Sequence, residues 1–286
     1  MKLERNSGIL LHPTSLPDSP VCGSFGKPAR EWLNELAAFG IGVWQFLPLA
    51  PTDSFGSPYS SPSSFALNPW FLDQNDLVRD GFLANNLEDF SSANDCFKNR
   101  VDFHLANSKV KSLRFSLVDD WYKQNRTIQE EFEIWCSKQF WLDDHSIFME
   151  LKIQNNDLPW WEWPDEYAGR DKKELENWKK NNQKELLGHK LLQWHLDRQW
   201  QSIRELAKNL GIYLFGDVPF YVSKDSADVW GNRSLFSILT NSDTFLQSGV
   251  PPDYFSETGQ LWGNPVYRWS RHKATRYRWW RKRISR

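Results

Sequence analysis

Apolar residues recur along this chain in two rhythms. Short continuous runs, SGILLH at residues 7–12, VWQFLPL at 43–49 and IYLF at 212–215, have the length and β-former content of strands covered on both faces. Other stretches place apolar residues three and four apart. Residues 29–39 put Trp32, Leu33, Leu36 and Ala37 on one face and then meet Gly40, a C-terminal stop. Strand, Gly/Pro/Ser loop (13–28), helix and strand make a βαβ unit, so the first two strands are expected to pair in parallel. A further strand is expected near residues 243–246.

From Asp73 to Gly188 the helical rhythm runs through charges and amides, and this stretch reads as a helical insertion after the second strand. Thr127 with Glu130 has the spacing of a capping box for one amphipathic helix running through Ile128, Phe132, Trp135 and Phe140 to Trp141. Residues 186–209 form another such helix, closed by Gly211. The expected organisation is therefore three segments: 1–72 with the first βα units, 73–188 as the helical insertion, and 189–286 as the continuation of the sheet. Within the insertion, LPWWEW at 158–163 admits two roles. Trp160, Trp161 and Trp163 cap the structure or stack on the faces of sugar rings.

The second strand leads into a long loop, residues 51–69, made of Ser, Pro, Gly and aromatics. Loops of that length inside a domain are functional or disordered. Tyr59, Phe65, Trp70 and Phe71 argue against disorder, because aromatics bury large areas. An aromatic loop at the C-terminal end of a buried parallel strand is the layout of a (β/α)-barrel active face. Gly216-Asp217 has the same placement after residues 212–215. There Asp217 is either a turn-capping carboxylate or a ligand contact.

Composition narrows the classes. The chain has 286 residues with 35 Lys and Arg against 36 Asp and Glu, so no global charge favours nucleic acid or an anionic membrane. No apolar run approaches the roughly 20 residues that span a bilayer, and MKLERNSG lacks the apolar segment of a secretory leader. Cys22, Cys96 and Cys136 are widely spaced and form no CxxC, so no zinc or disulfide framework is expected. A reduced, cytoplasmic protein without metal or cofactor is the expectation. Trp is the outlier at 17 residues. Residues 268–286 hold nine Lys and Arg and no acid. They read either as a nucleic-acid-binding tail or as an amphipathic helix with Tyr277, Trp280 and Ile284 on its buried face. The helix is the expected form, with no nucleic-acid partner.

Several motifs together resemble the 4-α-glucanotransferases, the amylomaltase or disproportionating enzymes of the retaining α-amylase-like group. They are Ser57-Pro58-Tyr59-Ser60-Ser61 with Phe65-Ala66-Leu67-Asn68-Pro69, Gly216-Asp217-Val218-Pro219-Phe220-Tyr221-Val222, and GVPPDYFSETGQLWGNP at 249–265. The terminal Tyr277-Arg278-Trp279-Trp280 is similar to a helix of that family as well. The resemblance implies a (β/α)8 TIM-barrel type α/β fold, here incomplete with its first strands only. It also implies maltooligosaccharides and α-1,4-glucans as substrates. It places Ser57, Tyr59, Asp217, Asp253 and Trp262 among the substrate-binding residues, Asp253 being open to a second role as a staple of its own turn.

Retaining glycosyl transfer needs a nucleophilic carboxylate and a carboxylic acid about 5–5.5 Å apart. The Asp-His-Phe-Arg-Gly-like run that carries the family's nucleophile does not occur here, and Asp144-His145 is followed by Ser-Ile. The resemblance thus covers about the N-terminal half of the family, and no catalytic residue is assigned. An incomplete barrel would expose strand edges, so the chain is expected to be poorly soluble or to need a partner supplying a missing C-terminal half. A non-catalytic glucan-binding remnant and an α-glucan hydrolase are the alternative functions.

Overall fold

The computed structural model describes residues 5–17, 19, 21–85, 100–239, 243 and 246–286. In chain order the first elements are β1 (Gly8–Leu10), α1 (Lys27–Ala38), β2 (Val43–Gln45), α2 (Gln74–Arg79), α3 (Phe103–Trp121), α4 (Arg126–Lys138) and α5 (Leu142–Gln154). There follow α6 (Asp165–Ala168), α7 (Lys172–Asn181), α8 (Gln183–Asn209), β3 (Tyr213–Phe215), α9 (Ala227–Gly231), β4 (Gln247–Val250), β5 (Gln260–Pro265), α10 (Trp269–Ala274) and α11 (Arg278–Ile284). The chain divides into two units, one of residues 1–49, 67–140 and 187–218, the other of 50–66, 141–186 and 219–286. The helical stretch 73–188 thus contributes to both units. Cys96 lies outside the described residues, as do Thr244 and Phe245 of the strand expected at 243–246.

The first unit is built on a three-stranded sheet in the order β1-β2-β3, all parallel, with Ile9 opposite Trp44 and Trp44 opposite Leu214. Helix α1 makes the crossover between β1 and β2. Pro28 in its first turn costs no hydrogen bond there, and Gly40 at φ +67° closes it. Ala29, Leu33 and Leu36 of α1 are buried, and Trp44 beside them has no exposure. The Trp44 indole donates to Leu11 O at 2.7 Å, which satisfies its one polar atom. Two glutamines six residues apart on α8 fix the chain at the end of the long loop and just after it. Gln193 accepts from Leu67 N at 2.9 Å and donates to Leu67 O at 2.8 Å, and Gln199 does the same with Asp73 at 2.9 and 2.9 Å.

Three expectations need correction here. The strands read as covered on both faces, but β1 is exposed throughout and β3 is exposed at Tyr213 and Phe215. Both are edge strands of this sheet, so only the central β2 carries a fully buried side chain. The Thr127–Glu130 capping box is displaced two residues. Asn125 is the N-cap of α4 and accepts from Ile128 N at 3.0 Å, which leaves Thr127 inside the first turn. Finally, α4 does not continue to Trp141: it ends at Lys138, and Gln139 turns extended at ψ 86°.

In the second unit, α5, α6, α7 and α9 surround a core of Phe148, Trp160, Trp163 and Trp230. Trp160 and Trp163 are therefore structural, while Trp161 is half-buried with the Lys224 ammonium 4.0 Å from its ring centroid. The turn-rich stretch 249–265 is a hairpin. Strands β4 and β5 pair antiparallel, with Gly249 opposite Leu261 and Val250 opposite Gln260. Glycine is required at 249, where an added Cβ would meet Gln260 O at 2.4 Å.

The terminal basic stretch is helical but differently phased. It breaks between α10 and α11, where Arg276 and Tyr277 adopt φ +52° and +55°. The break resets the buried face to Trp279 and Arg283 and leaves Tyr277 and Ile284 exposed.

Candidate functional site

Asp217 follows β3 of the first unit by two residues and is exposed, at the C-terminal end of a parallel strand as its spacing predicted. The other four candidates belong to the second unit, on two loops of similar construction. In the first loop Asp53 Oδ1 accepts from both Phe55 N and Ser57 N at 2.9 Å. Ser57 then caps a short 3-10 turn, Pro58–Ser60, its Oγ accepting from Tyr59 N at 3.4 Å. Phe55 and Tyr59 on this loop are 88% and 43% exposed.

The second loop repeats the device at the tip of the β4–β5 hairpin. Asp253 Oδ1 accepts from Phe255 N at 2.9 Å and from Ser256 N at 2.8 Å. Of the two roles open to Asp253, the turn staple is therefore formed. Tyr254 and Phe255 stand 96% and 88% exposed beside it. Trp262 sits on β5, half exposed, its indole donating to Gln260 Oε1 at 3.0 Å. Exposed aromatics on short, internally hydrogen-bonded loops are suited to stacking on sugar faces, because little ordering entropy remains to be lost on binding.

Replacing Asp253 with Ala returns two exposed N–H groups to water, so the cost in stability is small, about 0.5–1 kcal/mol. The loop itself loosens, and cleavage by chymotrypsin after Tyr254 and Phe255 becomes faster. Equal digestion rates for the variant and the parent would refute the staple.

Sequence reasoning missed three buried polar groups of the second unit. Asp228 is 5% exposed, and its Oδ2 accepts from Ser64 N at 2.7 Å. Burial pushes its carboxyl up to about 6, against the pull of the Ser64 amide and the Arg283 guanidinium. Tyr267 and Arg283 are 6% and 7% exposed. Burial also raises the Tyr267 phenol, so it remains a neutral hydroxyl that donates to Phe220 O at 2.9 Å. No signal marked them. Asp228 resembles any helix-start acid, and Arg283 lies in a run of cations that reads as a solvated face.

Among the described residues no group of three or more His, Cys, Asp or Glu is placed to hold a metal ion, and no helix is long and apolar enough to cross a membrane.

The family model described as 4-alpha-glucanotransferase matches residues 11–286. The chain belongs to the 4-α-glucanotransferase family. It is 41% identical to the 4-α-glucanotransferase of Synechocystis over 99% of its own length and 56% of that protein's. It is 38% identical to the Thermus thermophilus enzyme over 100% of its length and 56% of that protein. The amylomaltase of Streptococcus agalactiae, solved in complex with acarbose, superposes with a TM-score of 0.91 at 32% identity, covering 99% of this chain and 57% of that one. The chain thus spans about half the length of the relatives it matches.

Proposed function

We propose that this chain forms the glucan-binding part of a 4-α-glucanotransferase. That protein moves α-1,4-glucan segments between maltooligosaccharides by retaining double displacement. The observation that carries the reading is the pair of Asp-stapled aromatic loops, with Ser57 and Tyr59 on one and Asp253 on the other, Trp262 following it on β5. The Streptococcus agalactiae amylomaltase, solved in complex with acarbose, supports it. In this reading β1, β2 and β3 are the first strands of a (β/α)8 barrel, and residues 73–188 are its helical insertion. Asp217, at the end of β3, hydrogen-bonds hydroxyls of the reacting sugar.

Bond cleavage requires two carboxyl groups about 5–5.5 Å apart, one nucleophile and one acid. The absent Asp-His-Phe-Arg-Gly run assigns that pair to the part of the family this chain does not span. What these 286 residues do is bind, orient and shield. Their loops hold the acceptor and keep water from the glycosyl intermediate, so that transfer prevails over hydrolysis. No step calls for a cofactor, and the activity suits the cytoplasm. The exposed Leu10 and Phe215 on the two edge strands mark where further strands would pair.

Incubation with maltotriose tests the assignment. The 286-residue chain is expected to bind maltoheptaose calorimetrically but to release no glucose and to make no longer chains. Disproportionation would overturn the placement of the nucleophile and turn attention to Asp217, Asp253 and Glu257. New reducing ends without chain lengthening would identify a hydrolase. Binding without turnover is also what a non-catalytic remnant shows; turnover restored by adding the C-terminal half of a relative separates the two.

A further inference from the structure

We infer that Arg283 and Tyr267 are positioning residues for the glucan-binding loops, forming with Asp228 a buried knot that fixes the backbone following Asp217 and the end of the Ser57–Tyr59 loop. The inference rests on the glucan-binding reading above and extends it to residues that do not touch sugar.

The geometry is specific. Arg283 Nη2 donates to Pro219 O at 2.8 Å, and Nη1 donates to Tyr267 Oη at 3.2 Å. Tyr267 Oη in turn donates to Phe220 O at 2.9 Å. One guanidinium and one phenol thus hold two consecutive carbonyls, which come two and three residues after Asp217 in the chain. The next residue, Tyr221, stacks on Tyr267 with centroids 6.2 Å apart at 13°, and its other neighbour is Trp262 at 6.4 Å. On the opposite side Asp228 accepts from Ser64 N, and Ala227 N donates to Pro62 O at 2.9 Å, which anchors the chain just after Tyr59. Asp228 and Arg283 carry opposite charges that stabilise one another, as a buried charge requires.

Arginine is needed at 283 because only its fork reaches a carbonyl and a hydroxyl together from one fixed plane. Trp279 and Trp280, with centroids 5.4 and 5.2 Å from the guanidinium carbon, hold that plane in place. The break between α10 and α11 turns Arg283 inward.

The test uses the full 286-residue chain with three substitutions, Tyr267→Phe, Arg283→Lys and Arg283→Met. Two quantities are read, hydrogen exchange of the amides at 220–222 and calorimetric affinity for maltoheptaose. Tyr267→Phe removes one hydroxyl and keeps the ring. It should speed exchange at 220–222 and weaken maltoheptaose binding about tenfold, the value of one hydrogen bond. Arg283→Met should weaken it further, with Arg283→Lys recovering part of the loss. Faster exchange at unchanged affinity in Tyr267→Phe overturns the positioning role and leaves the knot merely structural. If the parent chain itself has no affinity for maltoheptaose, the glucan-binding reading fails and the positioning role falls with it. Exchange at 220–222 then still reports whether the knot holds that segment.

Discussion

Trp230→Ala lowers the unfolding free energy of the protein by about 3–5 kcal/mol, the range for deleting a fully buried tryptophan. Trp230 has no exposure and packs between Phe148 and Trp163, each with ring centroids 5.9 Å away. Its truncation leaves a cavity that these two large rings cannot fill. Two polar contacts go with it. The indole N–H donates to Tyr167 O at 3.0 Å, and the Arg170 guanidinium carbon lies 4.0 Å from the ring centroid. Losing the first leaves a carbonyl without that donor, and losing the second removes a cation–π contact worth about 0.5–2 kcal/mol. Since domains unfold at about 5–15 kcal/mol, a large share of stability disappears. Trp230 shares α9 with Asp228, so the same change should loosen the Ser64 anchor and weaken maltoheptaose binding. Urea denaturation of the parent, Trp230→Ala and Trp230→Phe measures this, with Phe intermediate. A loss below about 1 kcal/mol for the Ala variant would contradict the packing described.

The helices were legible where periodicity and a glycine agreed. Helix α1 ends before Gly40 at φ +67°, and α8 ends before Gly211 at φ +72°, each within a few residues of the expected boundary. The break after α4 was not legible, because the run Cys136-Ser-Lys-Gln-Phe-Trp141 contains neither Gly nor Pro. There the chain passes from the first unit to the second between residues 140 and 141, a tertiary event that leaves Phe140 exposed and Trp141 buried. Hairpin β4–β5 was hidden for a related reason. It is exposed on most of its length and rich in Gly, Pro and Ser, so no alternation of polar and apolar residues announces it.

Individual motifs gave the candidate loops, and local chemistry explains why. An Asp at the start of a tight turn bonds backbone amides a few residues on: Asp53 takes those two and four residues on, Asp253 those two and three residues on. The buried polar partners of the backbone could not be read. Gln193 and Gln199 look like solvated amides of a long helix, yet both are buried and paired with the backbone of Leu67 and Asp73. Arg283 sits among cations of α11 with the same composition as its exposed neighbours Arg278 and Arg281. Which of them turns inward depends on a helix break that two left-handed residues create, and those residues are neither Gly nor Asn.

Lowering the pH from 7 to 5 removes about 4 kcal/mol from the first unit, through two histidines held neutral by burial. His195, 1% exposed and packed against Phe82 and Trp194, is pushed down to about 3 by burial, with the nearby Arg198 charge adding to the effect. His12, edge-on to Phe71, is lowered to about 4 by burial despite a hydrogen bond to the Leu47 backbone. The unfolded chain takes up both protons near pH 6.5, whereas the folded protein does not until far lower. Stability is therefore complete above pH 6.5 and falls as pH drops toward the folded values, by about 2 kcal/mol per histidine at pH 5. Asp228 acts in the opposite sense in the second unit. Raised to about 6, it stays protonated in the folded state where the unfolded chain has ionised, so between pH 4 and 6 it gains stability as pH falls. His272 of that unit, lowered by burial, works against it. The histidine contribution is isolated by His195→Gln, which cannot titrate. Its loss of unfolding free energy between pH 7 and pH 5 should be smaller than the parent's by about 2 kcal/mol. Equal losses in the two proteins would show that His195 is protonated while folded, and that the acid sensitivity of the first unit has another source.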